Sequence, residues 1–296
     1  MSKPRILHFL TPLPNVSPFD VNMAADAGFV IQSYTGITIK DIAGLTQDAM
    51  FSRPPGDAAK TCLFIGGRDA LLALDMLAAA KAAMFPPFEI SLFADPSGAF
   101  TTAGAMIACV ERRLKAQQAT LAGGKVAVFG AKGVVGGIVG VIAAEAGAEV
   151  TLVAHDQSGV VATKAAEFSR RFARSFATAD GSTEAGRRAV LESADIVLAA
   201  GRAGVQVLSQ SDLAAARRLK VAADINAVPP PGIAGLDVTA DGAPLPQTQG
   251  VGIGALAIGG VKFQVQHALL RRIYSAEKAQ FLEFRDAYRT ALDIVG

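Results

Sequence analysis

Short apolar runs alternate with longer stretches of helical periodicity along most of this 296-residue chain. A strand that leads into a helix and then into another strand brings the chain back in the same direction. Such alternation implies parallel sheets covered by helices on both faces. "RILHFL" (5–10), "VIQSY" (30–34), "TCLFIGG" (61–67) and "EISLFAD" (89–95) read as four strands. Between them, "SPFDVNMAADAG" reads as a helix capped by Ser17, with Pro18 in its first turn. "IKDIAGLTQDAMF" is a second helix, and two more run from about Asp69 to Met84 and from about Thr102 to Gln118.

Near Leu121–Lys125 the pattern restarts. "KVAVFG" (125–130), "EVTLVAH" (149–155), "DIVLAA" (195–200) and "KVAADI" (220–225) read as four further strands with helices between them. A Pro- and Gly-rich loop then spans 226–252, and helical patterns close the chain at about 256–273 and 277–294. Loops of that length in a compact domain are usually functional. The expected architecture is α/β with two domains, each a largely parallel sheet flanked by helices, one of them Rossmann-like. Residues 1–120 with 256–296 form one domain and 121–255 the other, with a ligand cleft between them.

Composition narrows the class. Lys and Arg total 28 against 26 Asp and Glu, so the net charge of +2 gives no basic stripe for nucleic acid. Arg170, Arg171 and Arg174 read as the solvated face of a helix. Cys62 and Cys109 sit in apolar runs and read as buried, inert thiols. The N-terminus lacks a signal-peptide h-region, and no run reaches the ~18 apolar residues of a membrane span. A cytoplasmic protein is expected. His8, His155 and His267 show no metal-ligand pairing, so no metal is expected.

The most informative stretch is "VAVFGAKGVVGG" (126–137). A dinucleotide turn needs one glycine for the tight bend, one for close approach of the pyrophosphate and one for helix–strand packing. Here Gly130, Gly133 and Gly136 follow a strand and open an apolar helix, all three present as G-x-x-G-x-x-G; read as G-x-G-x-x-G, Ala131 replaces the first glycine while Gly133 and Gly136 are in place. The next strand ends at Asp156, 20 residues past Gly136, where an acidic ribose ligand belongs. His155 precedes it and Lys164 follows on the helix. A carboxylate disfavours a 2′-phosphate while an imidazole can donate to one, so use of both NAD and NADP is expected, with NAD favoured.

Other loops follow strand ends of the first half. In "ADPSGAFTTAG" (94–104), Asp95, Ser97, Thr101 and Thr102 offer polar groups to a ligand. Asp69 in "GGRDA" (66–70) is either a helix cap or a site residue. The glycine-interrupted run "GVGIGALAIGGVK" (250–262) is costly in a helix and reads as a close approach to a ligand. Lys262 at its end either contacts substrate or lays its stem along the surface. Tyr274 and Lys278 have the Tyr-x-x-x-Lys spacing by chance. An oxidoreductase without an acid–base pair suggests hydride transfer driven by a lone pair already on the substrate.

Together, "PFDVNMAADAG" (18–28), "FIGGRDA" (64–70), "DPSGAFTTAG" (95–104), "VFGAKGVVGG" (128–137), "ADINAVPPPGIAGLD" (223–237) and "GALAIGGVK" (254–262) carry a resemblance. The chain resembles the NAD(P)-dependent methylene-tetrahydromethanopterin dehydrogenases of methylotrophic bacteria over nearly its whole length. More remotely it is similar to methylene-tetrahydrofolate dehydrogenases. The resemblance implies a homotrimer, a nucleotide-binding middle domain, and final helices that return to the first domain. It implies hydride removal from a pterin methylene bridge to give a methenyl cation, in one-carbon (formaldehyde) oxidation.

Cofactor contacts implied are Gly130, Ala131, Lys132, Gly133, Val134 and Val135, then His155 and Asp156, then Ala200, Asp224, Asn226 and Gly254. Asp20, Asp95 and Lys262 are the candidate catalytic residues, and Asp95, Ser97, Thr101, Thr102 and Gly259 the candidate pterin contacts. Strictly NADP-dependent relatives carry a basic pair where this chain has His155 and Asp156. Tyr34 is followed four positions later by Thr38 rather than Lys, so the cyclohydrolase activity of the folate enzymes is not expected. The same chemistry on tetrahydrofolate, a hydroxy-acid dehydrogenase and a non-catalytic NAD-binding regulator remain as alternatives.

Overall fold

The computed structural model describes residues 3–156 and 159–296. Its first elements are β1 (Ile6–Thr11), α1 (Pro18–Asp26), β2 (Val30–Thr35), α2 (Ile42–Phe51), β3 (Thr61–Ile65), α3 (Ala70–Ala82), β4 (Ser91–Ala94) and α4 (Ala99–Ala116). Then come β5 (Lys125–Phe129), α5 (Val134–Glu145), β6 (Glu149–Ala154), α6 (Val160–Phe172), β7 (Phe176–Asp180), α7 (Glu184–Ser193) and β8 (Ile196–Ala199). The rest are α8 (Gln210–Leu213), β9 (Val221–Asp224), β10 (Asp241–Pro244), β11 (Val251–Ile253), α9 (Ala255–Ser275), β12 (Phe281–Leu282) and α10 (Phe284–Val295).

The chain divides into two compact units, Met1–Thr101 with Phe263–Thr290, and Thr102–Lys262 with Ala291–Gly296. The first holds a five-stranded sheet in the order β12-β4-β3-β1-β2, every pair parallel. Its central strands β3 and β4 are buried at every position, as helices on both faces demand, whereas the edge strand β2 is largely exposed. Phe9, Phe64 and Phe93 stack through this core with centroids 4.8 and 5.2 Å apart. Helix α1 begins where Ser17 accepts the Asp20 N–H at 3.3 Å, with Pro18 at its first position.

The second unit holds a seven-stranded sheet in the order β10-β11-β9-β8-β5-β6-β7, parallel except for the β10–β11 pair. Counted from β5, the six parallel strands follow the 3-2-1-4-5-6 order of a dinucleotide-binding sheet. Strands β8 and β9 are fully buried, and α5 buries nine consecutive residues, Gly136 to Ala144.

Four strands exceed the sequence expectation: β7, β10, β11 and β12. The segment 226–252 is therefore not a single loop, since β10 and the start of β11 lie within it. The glycine run 250–262 is likewise not all irregular, because α9 starts at Ala255. The final pattern, expected as one helix over 277–294, is the short β12 followed by α10.

Within the first unit, Gln266 on α9 donates to Asp20 Oδ1 at 2.7 Å, and both side chains are buried. Replacing a donor to a buried carboxylate removes a charge-assisted bond without relieving the carboxylate's desolvation. Gln266→Leu should lower unfolding free energy in urea by about 1.5–3 kcal/mol. An unchanged denaturation midpoint would show that this bond does not hold the unit together.

Candidate functional site

In the second unit the chain leaves β5 through Gly130, at φ +85°. That conformation favours glycine, and a Cβ there would overlap the Ala200 carbonyl oxygen at the end of β8. Gly133 donates to Gly130 O at 2.9 Å, closing the turn. Gly133 is the N-cap of α5, so no side chain there competes for the first-turn N–H groups of Val134 and Val135. A Cβ on Gly136 would lie 2.5 Å from Gly130 O, which fixes how closely α5 approaches the turn. An anion fits this arrangement, because first-turn N–H groups and the helix dipole both favour negative charge.

At the end of β6 two side-chain nitrogens lie beside the carboxylate of Asp156. Lys132 Nζ, from the glycine turn itself, lies 2.9 Å from Asp156 Oδ2. His155 Nε2 lies 3.4 Å from the same oxygen, with its ring largely exposed. Lys164 on α6 donates to the Lys132 carbonyl at 2.6 Å, anchoring the backbone from which the Lys132 side chain leaves. The reading of this end as a ribose site falls on His155 and Asp156, which are described. Residues 157 and 158, in the same quoted stretch, lie outside the described residues.

The loops after β8 and β9 are stitched together. Asp224, buried at the end of β9, accepts the Asn226 N–H at 2.9 Å and the Ile233 N–H at 3.1 Å. Desolvation still pushes its carboxyl above the ordinary range, because burial outweighs those donors. Asn226, also buried, accepts from Gly204 N at 3.1 Å and Val228 N at 3.0 Å, and donates to Pro230 O at 2.9 Å. Both side chains thus hold the backbone of the loops that border the β5–β8 switch point. Sequence reasoning lists them as cofactor contacts, and the structure shows the tie they make. Gly254 packs in the same manner on its own chain, where a Cβ would overlap Asp237 O.

In the first unit, Asp95 is fully buried at the end of β4. Its Oδ1 accepts the Phe100 N–H at 2.8 Å and the Thr101 N–H at 3.2 Å, and Oδ2 accepts the Thr101 hydroxyl at 2.7 Å. Ser97, exposed, stands at φ 53°, ψ 32°, and donates from Oγ to Gly67 O at 2.6 Å. A left-handed serine held this way is local strain of the kind that accumulates at functional sites. Asp95 and Thr101 thus form one network, while Ser97 separately ties the loop after β4 to Gly67 at the end of β3. Asp20 is held separately, through Gln266. Asp69 caps α3 by accepting from Leu71 N and Leu72 N at 2.9 and 3.0 Å.

Thr102 on α4 and Gly254, Gly259 and Lys262 near the start of α9 belong to the second unit. A Cβ on Gly259 or Gly260 would meet nothing within 4 Å, so this part of α9 presents bare backbone to open space. Lys262 is half-buried on the same helix.

Tyr34 bonds His8 Nδ1 at 3.2 Å on the sheet face, and burial, aided by the Arg53 charge, holds His8 below its usual range. Tyr274 packs its ring edge-on against Phe29 at 5.2 Å. Burial raises both free thiols, Cys109 to about 11. Among the described residues no group of three or more His, Cys, Asp or Glu is placed to hold a metal, and no helix is long and apolar enough to cross a membrane. Sequence reading missed Gln266 as the partner of Asp20 and Gly67 as the partner of Ser97. Separations of 246 and 30 residues leave no local signal for either.

The strand order, the glycine turn and the open N-terminus of α5 define a two-unit α/β protein of the Rossmann-containing class. Solved structures agree on the fold: shikimate 5-dehydrogenase from Listeria monocytogenes, in complex with shikimate and NAD, aligns with a TM-score of 0.57 at 14% identity over 92% of each chain. Ornithine carbamoyltransferase from Pyrococcus furiosus aligns at 0.53 and 13% identity, over 90% of this chain and 84% of that one. A family model for the N-terminal part of methylene-tetrahydromethanopterin dehydrogenase matches residues 18–97. An NAD(P)-dependent methylenetetrahydromethanopterin dehydrogenase of Methylorubrum extorquens AM1 is 50% identical over 98% of this chain and 99% of its own length. The bifunctional protein MdtA of the same organism is 29% identical over 99% of this chain and all of its own. The chain belongs to the methylene-tetrahydromethanopterin dehydrogenase family.

Two variants test the site geometry. Gly136→Ala should push α5 off the turn and weaken nucleotide binding by at least about tenfold while the protein stays folded, as read by NADH fluorescence titration. Asp224→Asn puts an NH2 group against a backbone donor and should cost about 1–3 kcal/mol at low pH. Because the folded-state pKa of Asp224 is raised, its native form holds its proton more tightly than the unfolded chain does. Wild-type stability should therefore decline as pH rises from the ordinary carboxylate range through the raised value. The variant should lose that slope, and a slope retained in its denaturation curves would assign it to another group.

Proposed function

We propose that this chain oxidises methylene-tetrahydromethanopterin to the methenyl form, with NAD or NADP as hydride acceptor. The observation that carries the reading is the match at 50% identity across essentially both whole chains, which takes in the glycine turn and the loops after β3, β4 and β9 alike. The family model on residues 18–97 covers the loop after β3 and the start of the loop after β4. The functional division we assign places the pterin on residues 1–120 with 256–296 and the nucleotide on 121–255.

When bound, NAD(P) supplies the carbon that accepts the hydride. The Val134 and Val135 N–H groups hold its pyrophosphate, with Gly130, Ala131 and Gly133 giving the backbone room to approach. His155 and Asp156 meet the adenosine ribose, with Lys132 beside them. Ala200 and Gly254 border the nicotinamide end, where Asp224 and Asn226 keep the loops in place. Ser97, Thr102, Gly259 and Lys262 are the pterin contacts carried over from the resemblance, while Thr101, fully buried, serves by holding Asp95.

In the substrate, the methylene C–H bond breaks with its electron pair leaving as hydride, and a neighbouring nitrogen lone pair forms the new C=N bond. No proton has to be removed. The work left to the protein is orientation and stabilisation of the growing positive charge. The carboxylates of Asp20 and Asp95 supply negative potential for it, Asp95 from beneath the loop that it caps. We further assign the protein to cytoplasmic one-carbon oxidation, downstream of the step that joins formaldehyde to the reduced pterin, and to a homotrimer on family resemblance.

Purified protein mixed with methylene-tetrahydromethanopterin should raise absorbance at the NAD(P)H band with NAD and with NADP in separate cuvettes. Asp95→Asn should lower kcat by about 100-fold with a smaller effect on KM. Turnover of the tetrahydrofolate analogue alone would replace the pterin. Nucleotide binding without turnover of either would leave a binding protein. An Asp95→Asn enzyme with wild-type kcat would remove that residue from the mechanism.

A further inference from the structure

We infer that Lys132 and Asp156 form an exchangeable ion pair that lets one ribose site accept either dinucleotide, with Lys132 as the residue that selects for the 2′-phosphate. The inference rests on the nucleotide reading of the second unit and deepens it. A carboxylate at the end of the second strand of this sheet order receives a ribose diol and repels a 2′-phosphate. Asp156 alone would therefore exclude NADP.

The ammonium of Lys132 lies 2.9 Å from the Asp156 carboxylate, so a cation already stands where the 2′-substituent arrives. Both groups are partly exposed, with 31% and 40% of their side-chain surfaces open. An ion pair at that exposure is weak and exchanges at little cost. With a 2′-hydroxyl present, Lys132 stays on Asp156, and the carboxylate accepts from the diol. With a 2′-phosphate present, Lys132 turns from Asp156 to the dianion, screening it from the carboxylate.

The backbone beneath it does not have to move. Lys164 holds the Lys132 carbonyl at 2.6 Å, so the side chain can swing while the glycine turn keeps its shape. This assigns Lys164 to anchoring the turn and Lys132 to reading the nucleotide. His155, 3.4 Å from Asp156 and largely exposed, is the other nearby donor, but it extends from the strand end rather than from the turn.

The two roles separate in calorimetric binding of 5′-AMP and 2′,5′-ADP, which differ only by the 2′-phosphate and require no turnover. Lys132→Gln should lower the ratio of 2′,5′-ADP to 5′-AMP affinity by about tenfold or more, and Asp156→Asn should raise it by a similar factor. Lys164→Gln should weaken both ligands together, leaving the ratio within about threefold of wild type. Thermal melts of each variant check that the turn is still folded. A ratio unmoved by Lys132→Gln, or a selective loss of 2′,5′-ADP in Lys164→Gln instead, would overturn the assignment. Failure of wild-type protein to bind either ligand would overturn the nucleotide reading beneath it as well.

Discussion

Parallel pairing is the constraint on which the rest of the structure depends. A strand that runs parallel to its neighbour must be entered from the same end, so each connection carries the chain back along the sheet, usually through a helix. Every strand of such a sheet then ends on one edge, with helix N-termini beside it. Gly130, Asp156, Ala200 and Asp224 are scattered over 95 residues, yet all leave or end parallel strands on the same edge of the second sheet. Gly67 and Asp95 do so in the first. The site residues are gathered by topology before any of them makes a contact.

What topology gathers, buried carboxylates then hold. Backbone N–H groups at strand ends have left the ladder and need acceptors. Asp95 and Asp224 each take two of them, and the loops they tie are those that the strand ends bring together. The charges left at the surface behave differently. Lys132 and Asp156 pair at 2.9 Å with both side chains partly exposed, so that pairing costs little to exchange. Acidic residues therefore take two physical roles here, separated by burial rather than by residue type.

Much of this was legible in the sequence wherever local chemistry decides structure. Buried central strands must be apolar on both faces, so "TCLFI" and "IVLA" announce themselves. Ser17 with Pro18, and Asp69 ahead of an alanine-rich run, carry their caps in the adjacent letters. Edge strands lack that signal. β7, "FATAD", is largely exposed and nearly free of bulky apolar residues, and β12 is only two residues long. Both form because a neighbour offers a hydrogen-bonding edge. The glycine run of 250–262 shows a different limit. Gly252 and Gly254 admit close packing on Leu236 and Asp237, whereas Gly259 and Gly260 open the surface of a helix, and composition cannot tell those uses apart. Family resemblance, by contrast, read the chemistry where local physics gave only a nucleotide turn.

The proposed reaction calls for no acid–base pair. His8 is spent on Tyr34, and His155 stands exposed next to a carboxylate. Hydride departure needs no proton acceptor, so a titrating group would contribute only pH sensitivity. What the chemistry does need is fixed distance and a favourable field, and one residue can serve both. Asp95 fixes the loop through two N–H groups and the Thr101 hydroxyl, and in the proposed mechanism its buried carboxylate also supplies the field. Asparagine at that position retains an acceptor oxygen for the loop but carries no charge. A loss confined to kcat would then report the field, while a rise in KM would report the loop. The two contributions, fused in one side chain, are separable by one atom.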